Sequence, residues 1–94
     1  MTAKQFSSVW DAIEKSPSDA AAMKARADLM MAIREVVDRW ETTQAVSAKR
    51  LGISQPRLND LLRGRVDKFS LEALMALAAQ AGLSVRVEVV RPAA

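Results

Sequence analysis

The sequence predicts an all-α domain that ends in one short β-strand, and three observations lead to this class. Apolar residues recur at three- and four-residue intervals in residues 6–41 and again after residue 70, which is the period of a helix buried on one face. The stretch between them has the small, glycine and apolar residues of two short helices that cross steeply. Near the C-terminus the period changes to two, which is typical of a half-buried strand.

The first predicted helix covers residues 6–15, within an N-terminal unit of residues 1–15. Its apolar positions follow helical spacing: Phe6, Val9, Trp10 and Ile13. The residues that follow read as the start of a second helix, with Ser16 as N-cap, Pro17 at the first helical position and Asp19 completing a capping box. We expect the N-terminal helix to pack on the rest of the domain and to contribute to partner recognition.

The second predicted helix is long, because neither Gly nor Pro interrupts the sequence between Pro17 and Gly52. Its core positions step by three and four residues: Met23, Ala27, Met30, Ile33, Val37 and Trp40. Leu29 and Val36 widen this stripe, which indicates burial on more than one side. We expect the helix to end near Glu41, with Thr43 capping the next one.

Residues 44–63 match a helix-turn-helix at five constrained positions: Ala48, Gly52, Ile53, Leu58 and Leu61. Ala48 is small where two steeply crossing backbones meet, and Gly52 enters a left-handed turn without a Cβ penalty. Ser54 is the expected N-cap of the second motif helix. The alternative interpretation is a helical hairpin in which the same residues serve packing alone.

A last helix follows the motif and completes a bundle over residues 16–84. Gly64 is expected to close the second motif helix in the left-handed conformation. Ser70 then caps the last helix, with Phe69 and Leu74 placed as a hydrophobic staple, and Gly82 ends it.

The C-terminal segment, residues 85–91, is predicted to be a strand with Val85, Val87 and Val89 on one face. A lone strand cannot satisfy its own backbone, so it must pair. Since no other segment reads as a strand, its natural mate is the same strand of a second chain. We therefore expect a homodimer with these three valines at the interface.

The distribution of charge along the chain favours DNA binding over a helical hairpin that serves packing alone. Residues 43–70 hold only two acidic side chains against six basic ones: Lys49, Arg50, Arg57, Arg63, Arg65 and Lys68. The positive excess of the chain, +3 overall, thus lies in the motif, as phosphate contact requires. In such motifs the second helix enters the major groove of double-stranded DNA.

Composition excludes several other classes. The 94 residues, half of them apolar, suffice for one domain with a modest core, residues 1–94. Without Cys or His, disulfides, thiolate chemistry and the commonest general base and metal ligand are excluded, so we expect no enzyme, cofactor or metal. No apolar stretch reaches the roughly 20 residues of a membrane span, and no signal peptide is evident.

At this point the chain resembles the phage-repressor-like (XRE) helix-turn-helix proteins. The resemblance lies in LGISQPRL at residues 51–58, DLLRG at 60–64 and FSL at 69–71, after a motif start at 43–45. Within that group the chain is most similar to the HigA-type antitoxins, and residues 9–13 and 22–26 also look like that subgroup.

The resemblance implies a five-helix, lambda-repressor-like domain, dimeric on a palindromic operator, that represses its own operon. It also implies a RelE/HigB-like toxin as partner and a cytoplasmic, nucleoid-associated location in bacteria. Two alternatives stay open. In the first, the chain is a stand-alone XRE-type regulator without a toxin. In the second, it is a protein-interaction module that has lost DNA binding.

Site residues follow from the docking geometry of the motif and from the resemblance. The expected base readers are Gln55, Arg57, Asn59 and Asp60. The expected phosphate-positioning residues are Thr43, Gln44, Lys49, Ser54, Arg63, Arg65 and Lys68. For each of these residues the competing interpretation is an ordinary solvent-exposed side chain without a role in binding. For Asp60 a further alternative is a bond to Arg57 or Arg63.

One departure from the family pattern concerns Val46 and Ser47. Val46 stands where an exposed polar residue is common, and Ser47 stands where an apolar one is common. Either the first motif helix is slightly rotated, or Val46 faces a partner.

Overall fold

The computed structural model describes residues 17–92. Within that range the chain forms four α-helices and a 3₁₀ turn: α1 (Pro17–Trp40), α2 (Gln44–Leu51), α3 (Gln55–Leu62), the turn Val66–Lys68, and α4 (Leu71–Gln80). The helix predicted at residues 6–15 and the N-cap Ser16 lie outside the described residues. The mostly helical class is confirmed, whereas a count of five helices is not.

α1 begins at Pro17 and ends at Trp40, one residue before the predicted end. The break comes at Glu41, whose φ of 50° is left-handed and stops the helix. The face toward the core carries Met30, Ile33 and Val37, all buried. α1 packs mainly against α4 and also contacts α3 and the 3₁₀ turn, so it supports the second helix of the motif.

The three predicted N-caps in this range are confirmed. At each helix start a side-chain oxygen accepts a hydrogen bond from a backbone N–H three residues on, which satisfies one of the donors a helix start leaves free. The pairs are Thr43 with Val46 at 3.2 Å, Ser54 with Arg57 at 3.2 Å, and Ser70 with Ala73 at 3.0 Å.

The turn between α2 and α3 also has its predicted form. Gly52 has φ 73° and caps α2, and its N–H donates to the backbone oxygen of Lys49 at 3.1 Å. Ile53 donates to the oxygen of Ala48 at 3.0 Å, which completes the hydrogen bonding of a Schellman-type end. Ala48 is buried at the crossing, so the small residue allows the close approach.

A single buried cluster holds the helices together. Leu58 and Leu61 of α3 enter it beside Phe69 and Leu74, the residues of the predicted staple. α2 and α3 have eight residues each, which is too short for an isolated helix to persist in water. Both are therefore held by packing against α1 and α4.

The predicted strand at residues 85–91 is not present in the single chain. Residues 83–92 adopt no regular secondary structure, and Val87 and Val89 are 75% and 92% exposed. The physical reason is that a strand needs a ladder partner, and no segment in residues 17–92 offers one. Pairing with a second chain stays a prediction.

Candidate nucleic-acid interface

One side of α3 is buried in the core, and the opposite side faces solvent. Ser54 orients its first turn, and Leu58 and Leu61 anchor it from below. Gln55 is then exposed and Asn59 half-buried, and neither side chain forms a hydrogen bond with another described residue. These amides retain the donors and acceptors that a bidentate contact with adenine requires.

Basic side chains surround this helix. Lys49 and Arg50 lie in the last turn of α2, and Arg63, Arg65 and Lys68 follow α3, all of them exposed. We name the exposed side of α3 together with these five residues and with Thr43 and Gln44 the recognition surface. All seven predicted phosphate-positioning residues are exposed, and their contact with DNA stays a prediction.

The N-termini of α2 and α3 add to the positive potential. The first turn of each helix carries no acidic residue, so the positive end of the backbone dipole is not neutralised locally. Thr43 and Ser54 cap these two ends. Backbone N–H groups at a helix start are suitable phosphate donors.

Arg57 is held by two contacts within the chain. Its Nη1 donates to the backbone oxygen of Lys68 at 2.8 Å, and its guanidinium carbon lies 4.1 Å from the centre of the Phe69 ring. These contacts connect the first turn of α3 to the 3₁₀ turn. Since a guanidinium has five N–H donors, four remain for other partners.

Asp60 pairs with Arg65, which the sequence analysis assigned to phosphate contact and not to Asp60. Its Oδ1 accepts from Nη1 of Arg65 at 3.2 Å, so the alternative in which Asp60 bonds Arg57 or Arg63 is wrong. The tight turn at Gly64 places Arg65 beside Asp60, and the backbone N–H of Arg65 also donates to the oxygen of Asp60 at 3.1 Å. Arg65 therefore partly balances the charge of Asp60, which is the one acidic residue of α3.

The question of Val46 and Ser47 is settled in favour of an unrotated helix. Ser47 is 1% exposed and Val46 is 43% exposed. Ser47 therefore takes the buried position although it is polar. Val46 is an exposed apolar residue beside the recognition surface, and a partner at that point stays a prediction.

Arg50 has structural contacts that sequence reasoning missed. Its guanidinium carbon lies 5.0 Å from the Trp40 ring centre, and its backbone oxygen accepts from Nε2 of Gln80 at 3.3 Å. These contacts connect α2 to α1 and α4. No local signal predicts them, because the partners lie 10 and 30 residues away.

The described part of the chain, residues 17–92, has no cluster of acidic, Cys or His side chains able to hold a metal ion. None of its helices is both long and apolar enough to cross a membrane.

Comparisons with known proteins agree with this geometry. A family model described as a helix-turn-helix domain matches residues 12–90. The chain is also similar to a solved structure named as an XRE family transcriptional regulator, with 32% identity and a TM-score of 0.71 over 79% of this chain and 83% of that one. No curated protein matches the chain.

Proposed function

Because the chain belongs to the XRE helix-turn-helix family and is a DNA-binding transcriptional regulator, we propose that it is a sequence-specific repressor. The observation that carries this is the recognition surface. Five exposed basic side chains flank a short helix on which Gln55 and Asn59 form no hydrogen bond with another described residue. Charge of this kind binds the phosphate backbone, and the helix between supplies base contacts.

Within this proposal the base readers are Gln55, Arg57, Asn59 and Asp60. Gln55 and Asn59 reach bases directly. Arg57 keeps its contacts with Lys68 and Phe69 and offers its remaining donors to guanine, so that its geometry is fixed before binding. Asp60 accepts from a cytosine amino group while Arg65 partly balances its charge. Thr43, Gln44 and Ser54 add phosphate contacts at the two helix starts.

We also propose that the repressor is a homodimer on a palindromic operator. Two recognition helices then lie about one DNA turn, roughly 34–36 Å, apart. The exposed valines of residues 85–91 support pairing of the two C-terminal segments, because a segment with alternating apolar residues gains both hydrogen bonds and burial when it pairs as a strand with a mate.

The finer biological role that we propose is that of an antitoxin, with a RelE/HigB-like toxin as its second partner. The resemblance of residues 43–71 to HigA-type proteins supports this role. A stand-alone regulator is the alternative within the same class. The reading frames beside its gene distinguish the two, since a small basic toxin encoded there supports the first.

The salt dependence of binding tests the proposed function. The duplex is first selected from a random library by the full chain, and its dissociation constant is then measured over a range of salt concentrations. Several phosphate contacts make the affinity fall steeply, and Lys68→Ala lowers the slope by about one. Lys24→Ala is the matched control, because Lys24 lies on α1 in an exposed pair with Asp28.

Two results contradict the proposal. If the library yields no preferred duplex, the chain is not a sequence-specific repressor. If the affinity is independent of salt, or both lysine variants change the slope equally, the recognition surface is not the contact with phosphate. A salt-independent interaction with a protein instead would favour an interaction module.

A further inference from the structure

An apolar groove borders the C-terminal segment. Its volume is about 550 Å³, and its walls are formed by α1, α4 and residues 83–88. The two helices contribute mostly apolar side chains, notably Ala25, Leu29 and Met75, and these three are only half-buried. We name this the tail groove. It places an apolar surface directly beside a segment that has no regular secondary structure.

Residues 85–89 have a symmetric pattern of charge, because their sequence is Val-Arg-Val-Glu-Val with Val87 at the centre. When two copies pair as antiparallel strands, side chains that lie directly opposite share one face of the pair. A two-fold axis at Val87 therefore places Arg86 of each chain opposite Glu88 of the other. Opposite charges at opposed positions stabilise a strand pair, and like charges destabilise it.

Neighbouring registers are disfavoured by the same two charges. The valine faces of two antiparallel strands coincide only when one strand slips by an even number of residues. A slip of two residues moves the axis to position 86 or 88, so that Arg86 lies opposite Arg86, or Glu88 opposite Glu88, of the other chain. A parallel pair in register also brings like charges together. Among these arrangements, only the axis at Val87 pairs both charges and keeps three valine pairs.

We propose that residues 85–89 of a second copy pair with the same residues of this chain in that register, and that the valine face of the pair packs into the tail groove. The inference rests on the proposed homodimer and specifies its contact. Two strands alone are marginally stable in water and need a helix to pack against. α1 and α4 supply that support, since residues 83–88 already form a wall of the groove. The charged pairs then face solvent, where the ions stay hydrated.

The self-complementary pattern identifies the partner as a second copy. A contact across a two-fold axis requires the same surface patch on both subunits to fit itself, and residues 85–89 meet this condition in charge as well as in apolar character. The single chain leaves this surface open, because Val87 and Val89 are 75% and 92% exposed. Pairing removes these side chains from water.

Cysteine cross-linking of the full chain reads the register directly, because the sequence contains no Cys. Directly opposite strand positions have Cα atoms about 4.5–5.5 Å apart, which a disulfide can span. We therefore expect Val87→Cys to form a disulfide-linked dimer under mild oxidation. Val85→Cys does not, because its two copies lie four residues, about 14 Å, apart along the strands. A mixture of Val85→Cys and Val89→Cys does, since these positions are opposite.

Exchange of the charges tests the ion pairs by sedimentation. Arg86→Glu and Glu88→Arg each place like charges at both opposed positions, and each raises the dissociation constant of the dimer by about tenfold. The double variant restores it, and the two single variants, when mixed, form heterodimers in preference to homodimers. Arg34→Glu is the matched control, because Arg34 is exposed, does not line the groove and undergoes the same change in charge.

Ala25→Glu tests the contact with the tail groove. A charge on its wall raises the dissociation constant of the dimer by about tenfold. Met31→Glu leaves the constant unchanged, because Met31 is 61% exposed and does not line the groove. Equal constants for these two variants overturn packing into the groove. The cysteine variants lie outside the core cluster, so their result stands even if Ala25→Glu unfolds the chain.

Equal cross-linking of Val85→Cys and Val87→Cys overturns the register, as does a double charge variant that dimerises no better than the single ones. If the register fails in this way while the chain still binds its preferred duplex as a dimer, the proposed repressor stands and only this inference falls. A parent chain that is monomeric even on that duplex overturns both the register and the proposed homodimer.

Discussion

Replacing Arg57 separates a structural contribution from base recognition at one position. The side chain donates to the oxygen of Lys68 at 2.8 Å and lies 4.1 Å from the Phe69 ring centre. Arg57→Ala removes both contacts and leaves the N-cap bond to the backbone N–H of residue 57 in place. Any change in stability therefore reports on the side chain.

The expected loss of stability is moderate because the contacts lie near the surface. A cation–π contact at an exposed site contributes about 0.5–1 kcal/mol, and a hydrogen bond about 0.5–1.5 kcal/mol, so the total is about 1–2.5 kcal/mol. In a domain of this length that lowers Tm by at least about 4 °C. Arg57→Lys keeps the charge but loses the planar stack, and we expect an intermediate Tm.

Thermal unfolding followed by circular dichroism measures this effect, with Arg63→Ala as the control. Arg63 is exposed, and its side chain contacts no other described residue through a hydrogen bond or ion pair. If Arg57→Ala and Arg63→Ala melt at the same temperature, the contacts with Lys68 and Phe69 contribute nothing and the reasoning is refuted.

DNA binding by the same variant tests the second role. As a base reader, Arg57 contributes about 1–3 kcal/mol to binding of the preferred duplex, and its loss relaxes the preference at one base pair. A variant that melts early but keeps the parent's ratio between preferred and random duplexes would show that Arg57 only positions α3.

Two further predictions concern the dimer and the motif turn. Val87→Asp introduces an unpaired carboxylate at the proposed strand interface, so sedimentation is expected to shift toward the monomer. Val90→Asp is the control, because Val90 lies on the opposite face of the predicted strand, and we expect it to shift sedimentation less. A parent chain that is already monomeric contradicts pairing of the strands. Gly52→Ala forces a non-glycine residue to φ 73°. We expect the substitution to lower the free energy of unfolding by about 1–2 kcal/mol, although nothing lies within 4 Å of the new Cβ. An unchanged midpoint in urea unfolding would contradict the strain argument.

Local features were predictable because their partners are close in sequence. Thr43, Ser54 and Ser70 each accept from a backbone N–H three residues away, and Gly52 meets a conformational demand of its own turn. On α1 spacing correctly predicted Met30, Ile33 and Val37 as buried, whereas the predicted core positions Met23 and Ala27 are half-buried and lie outside the core cluster. In each case a short window of residues contains all the interacting groups.

Contacts between distant segments were not predictable. Arg57 bonds to a backbone oxygen eleven residues away, and no side-chain pattern indicates a carbonyl acceptor. For Asp60 the sequence offered several neighbouring arginines, and the geometry of the turn at Gly64 selected Arg65. The strand at residues 85–91 was inferred from a period of two, but its existence depends on a mate outside the single chain.

The division of α3 into a buried and an exposed side has a consequence for its evolution. Leu58 and Leu61 specify where the helix lies, whereas Gln55 and Asn59 are not part of the core cluster. If these two amides read bases as proposed, a duplicated copy of the gene can exchange them and acquire a new target without losing the fold. Arg57 is the exception under the proposed function, because it is a proposed base reader that also contacts Lys68 and Phe69, so that one substitution there would affect both target choice and fold.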